Sequence, residues 1–269
     1  MATRPPDDVE RDDSFKRVLV LAKVKDILDL FTLEEPELDL RQIRAASGLP
    51  SSTALRLLRN MVSDGLLSQE DGRYRIGLSV LRWAAVARQG LGLIETAMPV
   101  LRALRDETGE SAGLFVRDGD LRVCLALAES TRAVGRRLVL GHVLPIHAGA
   151  PGKTLLAFDA HPSQVLAHLQ LTALSERTLT DRQALDKELE RIRSDGFAVS
   201  QGEWDLEVSG VAAPVFGSEG QLLAVIGVSA PSTRLTSDRL PLVVKSVRSG
   251  AAEISAAHGY LPPRKADRR

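Results

Sequence analysis

Residues 38–77 set out a fixed order of short elements, and few folds accommodate that order. Leu38-Asp39-Leu40 reads as a brief extended stretch. A compact helix follows with Ile43 and Ala46 inward, and Gly48 supplies the positive-φ position that stops it. A second helix opens after Leu49-Pro50, with Ser51 or Ser52 as its cap and Gly65 just past its end. Ala54, Leu55, Leu58, Met61 and Val62 share its apolar face. Ser52, Arg56, Arg59 and Ser63 share the opposite face, with Thr53 and Asn60 beside them and no acid before Asp64. Two alternating runs, residues 66–69 and 73–76, then flank Glu70-Asp71-Gly72, a strong hairpin signal. Helix, turn, polar-basic helix and hairpin in this order predict a winged helix-turn-helix whose second helix enters the major groove. The hairpin is expected to carry Arg73 and Arg75 to phosphate or the minor groove. Each arginine alone reads as a solvated surface charge; the ordered set carries the inference.

The charge distribution agrees. Formal net charge is zero, yet residues 41–90 hold eight basic side chains (Arg41, Arg44, Arg56, Arg59, Arg73, Arg75, Arg82 and Arg88) against three acidic ones (Asp64, Glu70 and Asp71), a local excess of +5. A modular DNA binder needs only its docking surface to neutralise phosphate. The length of 269 residues is ample for two domains. No apolar run approaches the roughly 18 residues of a membrane span. Residues 1–13 lack the apolar centre of a signal peptide, and the lone Cys124 excludes an internal disulfide. These features predict a cytoplasmic protein without membrane contact.

Residues 1–13, charged and carrying tandem prolines, read as a disordered tail. From Ser14, residues such as Phe15, Val18, Leu19, Leu21, Ile27 and Phe31 form a broad apolar stripe that ends before Glu34-Glu35-Pro36. The winged domain is therefore expected over 14–78. Leu81, Ala84, Ala85, Leu91, Ile94 and Met98 continue at helical spacing as a linker helix over 79–98, whose apolar side suits a dimer surface. Gly90 and Gly92 interrupt it, and Pro99 allows a second start or a kink. Residues 99–262 alternate strands and helices. Expected there are a second Asp-Gly hairpin at 117–120, a short strand at 137–140 and a loop over 141–152 leading to a helix near Lys153. Helices over 165–169 and 181–194 follow, the latter capped by Thr180, then strands over 197–200, 208–216 and 222–229 and a helix over 240–258. The reading is an α+β multidomain chain that ends in a flexible basic tail, 263–269.

Gly48-Leu49-Pro50, Ser52-Thr53-Ala54, Arg56-Leu57-Leu58, Gly65 and Tyr74-Arg75-Ile76-Gly77 resemble the IclR regulators. So do Leu144-Pro145-Ile146-His147-Ala148, Gly152-Lys153-Thr154-Leu155-Leu156-Ala157, the run from Arg191 to Phe197, Glu203 and Gly210-Val211-Ala212-Ala213-Pro214-Val215. The motifs keep one order from Phe15 to Gly259. The resemblance implies an N-terminal winged helix-turn-helix, a linker helix and a C-terminal GAF-like α/β effector domain, in a homodimer or a dimer of dimers. It implies double-stranded operator DNA as partner and a small organic effector, a carboxylate or an aromatic. Carried over, the DNA face is Arg41, Ser51, Ser52, Thr53, Arg56, Asn60 and, on the wing, Arg73. The effector pocket is Ile146, Ala150, Pro151, Gly152, Ser200, Val208, Gly210 and Ser229, with Gly210 and Gly227 leaving two positions without side chains.

Other signals are weaker. Gly149 lies two residues too close to Gly152-Lys153 for a phosphate-cradling loop, although a helix starting there offers N–H groups to a carboxylate. His142 and His147 lack compact metal-ligand spacing even with Cys124 or Glu203, so neither metal nor cofactor is expected. Cys124 reads as a small core residue and Trp204 as packing or ligand stacking, and no serine has a partnered base. The chain is thus expected to be a repressor controlled by a catabolic metabolite, not an enzyme. Two alternatives stay open: a constitutive DNA binder whose second domain only oligomerises, and a metabolite-binding protein or enzyme with a degenerate DNA module.

Overall fold

The computed structural model describes residues 19–89, 92–132 and 138–262. The expected tails, the start of the first helix, Gly90, Leu91 and Arg137 lie outside them. The chain divides into two compact units, Met1–Gln89 and Gly90–Arg269.

The first unit contains α1 (Leu19–Leu28), β1 (Leu38–Asp39), α2 (Leu40–Ser47), α3 (Ser51–Ser63), β2 (Leu67–Glu70), β3 (Arg73–Ile76) and α4 (Leu78–Gln89). Asp39 starts α2 by a reciprocal cap: its carboxylate accepts from Gln42 N–H at 2.8 Å while its own N–H donates to Gln42 Oε1 at 2.9 Å. Gly48 at φ 63° closes the helix. Asp71 (φ 49°) and Gly72 (φ 78°) are both left-handed, the primed turn that matches strand twist. The strands form a sheet in the order β1-β3-β2. Ile27, Leu38, Ile43, Leu57, Leu58, Met61, Leu67 and Tyr74 make its core.

Local details depart from expectation. Pro50, not a serine, is the cap of α3, and no side chain bonds there, so both hydroxyls face outward. Leu57 is buried while Leu55 is only half-buried. Ala46 is exposed, because α2 is short and engages the core through Ile43. Leu19, Val20 and Leu21 are exposed too, as the packed part of α1 is its far end.

The second unit runs α5 (Gly92–Thr108), β4 (Ser111–Asp118), β5 (Leu121–Ala128), β6 (Val143–Pro145), α6 (Gly149–Ala157), α7 (Pro162–His168), α8 (Arg182–Asp195), β7 (Ala198–Gln201), β8 (Val208–Phe216), β9 (Leu222–Pro231) and α9 (Leu240–Ala257). The strands form one antiparallel sheet, β6-β5-β4-β9-β8-β7. Alternation along the strands feeds two cores. Leu114, Ala126, Val211 and Ile226 pack with α5 and α9; Phe115, Cys124, Ala212 and Val225 pack with α6 and α8.

The second unit also corrects several expected boundaries. α5 begins at Gly92 and runs through Pro99, so the division falls at Gln89 rather than after residue 98; buried Ile94 and Ala97 already belong to the larger core. Leu138 to Leu140 is not a strand. The chain turns at Gly141 (φ 78°) and the pairing strand is β6 instead. α6 starts at Gly149, not near Lys153, because Ala148 in extended geometry is its cap. Asp181, not Thr180, caps α8 by accepting from Ala184 N–H at 2.8 Å.

Candidate functional site

Two places gather the expected residues. On the first unit, Ser51, Ser52, Arg56, Arg59 and Asn60 line one exposed groove with Leu55 along α3. Thr53 beside them is half-buried. Among the described residues neither Arg56 nor Arg59 has an ion pair, so both guanidiniums are available to an external anion. Arg41, on α2, has a side chain 91% exposed and lies 3.7 Å from Asp39, a loose contact in water.

Arg73 is placed otherwise. Its Nε is 3.2 Å from Glu37 Oε2 and its Nη2 donates to the Glu37 carbonyl at 3.0 Å. Arg75 reaches Glu37 Oε1 at 2.8 Å and Glu70 Oε2 at 3.1 Å. Glu37 clamps the two arginines that alternation places on one side of β3. The expected free wing arginines are therefore neutralised, and the hairpin tip is Glu70, Asp71 and Gly72. Reading the hairpin by itself missed this because Glu37 precedes β1.

On the second unit a cavity of ≈ 30 Å³ lies between the sheet and the start of α6. Strand register builds its floor: Ser200 pairs with Gly210 and Gly210 with Ser229, so the three form a row across β7, β8 and β9. Ala150, Pro151 and Val208 line it as expected, and Phe115, Arg122, His142, Ser209 and Trp204 join them. Gly210 and Gly227 both line the cavity, and each also meets a neighbouring strand closely. A Cβ on Gly227 would lie 2.8 Å from Val211 O, and one on Gly210 3.1 Å from Val228 O, so both permit close strand approach. Ile146 and Gly152 do not line it. Ile146 is fully buried in the core, and a Cβ on Gly152 would meet the Ile146 carbonyl at 2.2 Å, so Gly152 is needed where the loop crosses α6.

Lys153 anchors this helix. In the apolar run Gly149-Ala150-Pro151-Gly152-Lys153-Thr154-Leu155-Leu156-Ala157 its charge is 1% exposed. Its Nζ donates to Glu203 Oε1 at 2.6 Å and Glu188 Oε1 at 2.8 Å. Glu203 Oε2 accepts from Gly149 N–H at 2.9 Å, so a protein carboxylate already occupies part of the helix N-terminus. Glu188 is in turn held by Arg191. Burial alone would raise the Glu188 carboxyl; the Arg191 and Lys153 hydrogen bonds outweigh it and hold the group below its ordinary range. A lysine so engaged is not a phosphate ligand. Its signal in the sequence was a cation that an all-apolar helix gives no route to water.

The remaining candidates serve the scaffold. Burial pushes the Cys124 thiol up to about 12, which leaves it an inert core residue. His147 is fully buried with Nε2 2.9 Å from Thr172 O, whereas His142 meets Trp204 edge-on at 5.9 Å. Among the described residues no group of three His, Cys, Asp or Glu is placed to hold a metal, and no helix is long and apolar enough to cross a membrane.

Comparison with known proteins bears on both places. Residues 20–71 match the IclR helix-turn-helix domain and residues 85–256 match the bacterial transcriptional regulator IclR C-terminal domain. The chain is 31% identical over 257 residues to the HTH-type transcriptional regulator BhcR of Paracoccus denitrificans, covering 94% of this chain and 91% of that protein. It is 31% identical over 216 residues to the HTH-type transcriptional repressor AllR of Escherichia coli, covering 78% and 79%. The crystal structure of an IclR homolog from Microbacterium hydrocarbonoxydans complexed with 4-hydroxybenzoate superposes with a TM-score of 0.76 at 26% identity, covering 88% and 98%.

Proposed function

Because this chain belongs to the IclR family of bacterial transcriptional regulators, we propose that it binds an inverted-repeat DNA operator as a homodimer. There it represses neighbouring genes until a small organic acid enters the cavity beneath α6. The observation that carries the DNA reading is the face of α3: exposed hydroxyls, an amide and two arginines unpaired among the described residues, with no acid among them. Such a face suits the major groove, where arginine reads guanine edges and the remaining groups position on phosphate. AllR's designation as a repressor supports the sign of control, and the 4-hydroxybenzoate complex supports an organic effector. Selection of the purified protein against a random duplex pool should enrich an inverted repeat with half-sites about one helical turn apart. An enriched pool without such symmetry, or no enrichment, overturns this reading.

Dimerisation is supported by apolar side chains that the first unit leaves in water. Leu78, Leu81 and Val86 lie on one broad side of α4, and Leu19 and Leu21 open α1. Leu81→Glu combined with Val86→Glu should convert the dimer to a monomer in light scattering and leave only single half-site binding. An unchanged mass would place the dimer contact elsewhere.

A further inference from the structure

Arg122 occupies an unusual position on β5. It is 4% exposed, and among the described residues its side chain has no hydrogen bond and no ion pair; its Nε is wholly buried without a partner. Alternation sends it to the same face of the sheet as Cys124, toward α6 and into the lining of the cavity. Its guanidinium carbon lies 5.6 Å from the centre of the Phe115 ring, and Nη2 lies 3.2 Å from where a Cβ on Gly149 would stand.

Among the described residues no carboxylate forms an ion pair with it there. Glu203 is near enough to be felt, but its two oxygens are taken by Lys153 and by Gly149 N–H. Lys153 pairs with Glu203 and Glu188, and Arg191 pairs with Glu188 and Asp195, so each of these carboxylates is engaged by a cation other than Arg122. No carboxylate is among the described residues lining the cavity. Burial brings the guanidinium down to about 10, so it still carries its charge at neutral pH. A buried, unpaired cation is costly, and a sequence retains a fold more stably without one unless something else pairs with it.

The geometry points to Arg122 as the counter-ion of the effector's carboxylate, and so to a small monocarboxylic acid with a flat, largely apolar body as the ligand class. This rests on the effector reading proposed above. One cation matches one anionic group, and the planar guanidinium fork matches a carboxylate in two parallel hydrogen bonds. Trp204 and Val208 offer apolar surface to the body, and Ser200 and Ser229 are also among the lining residues. A cavity of ≈ 30 Å³ admits the centres of only one or two waters, so the acid enters as rim side chains give way.

Thermal unfolding and isothermal titration of the full chain with benzoate and with its neutral isostere benzamide test this. Benzoate should bind and raise the Tm; benzamide should do neither. Arg122→Met should unfold at a higher temperature than wild type without ligand and bind benzoate about 100-fold more weakly. Arg122→Lys should keep part of the benzoate response. Equal benzoate binding by wild type and Arg122→Met, equal binding of benzoate and benzamide, no benzoate binding by wild type, or an Arg122→Met protein of lower ligand-free stability would each overturn the assignment. These readings need no DNA, so they stand or fall separately from the operator-binding reading.

Discussion

Replacing Lys153 by Met should lower the unfolding free energy by about 3–5 kcal/mol, a large share of the 5–15 kcal/mol typical of a folded domain. The stem of Met fills the same space, so packing is nearly kept and the loss is electrostatic. Without the ammonium, Glu203 and Glu188 lose the cation that bridges them, and Glu203 is almost wholly removed from water. The penalty comes from the stranded buried carboxylate rather than from the worth of the pair, since a buried pair that is lost together is often nearly neutral. The double change Lys153→Met and Glu203→Gln should accordingly recover most of the loss, and urea midpoints of the three proteins measure it. If Lys153→Met alone were neutral, the buried network would have no energetic role.

The same network sets an acid limit. The Glu188 carboxyl titrates below its ordinary range in the folded protein. A carboxyl lowered in this way stabilises the fold at pH above its unfolded value, and that contribution is lost as pH falls through the folded value. Removing the Lys153 hydrogen bond lets the Glu188 carboxyl rise, so acid unfolding of Lys153→Met should begin at higher pH than in wild type.

What could be read from the sequence followed the range of the interactions. The Gly48 stop of α2, the polar side of α3 and the Asp71-Gly72 turn depend on residues a few positions apart, and local spacing announces them. The row Ser200, Gly210 and Ser229 was reachable through the family likeness, because it follows from strand register in a shared sheet. Interactions that join distant segments were not legible. Glu37 neutralises Arg73 from before β1, Glu203 reaches Lys153 from the loop after β7, and Arg122 is buried by helices well beyond it in the chain. Gly152 illustrates the same gap: it looked like a pocket residue, yet the approach of the Ile146 carbonyl is what requires it.

The second large effect concerns α3. Arg56 and Arg59 are exposed, lie one turn apart and are unpaired among the described residues, so neither must break an ion pair to reach DNA. Arg56, nearer the start of the helix, is the arginine proposed to read a base edge; its loss to Ala should weaken the selected duplex by about 1–3 kcal/mol, roughly 10- to 100-fold, and relax preference at that base pair. Arg59→Ala should weaken binding to all duplexes alike and flatten the salt dependence by about one counterion per half-site. Arg73→Ala should matter much less for affinity, because Glu37 already neutralises that charge.

Fluorescence anisotropy of the selected duplex over a salt series, with wild type, Arg56→Ala and Arg59→Ala side by side, tests the central claim most directly. The account predicts steep salt dependence for wild type, loss of sequence preference in the first variant and a shallower slope in the second. Unaltered affinity and slope in both variants would contradict it.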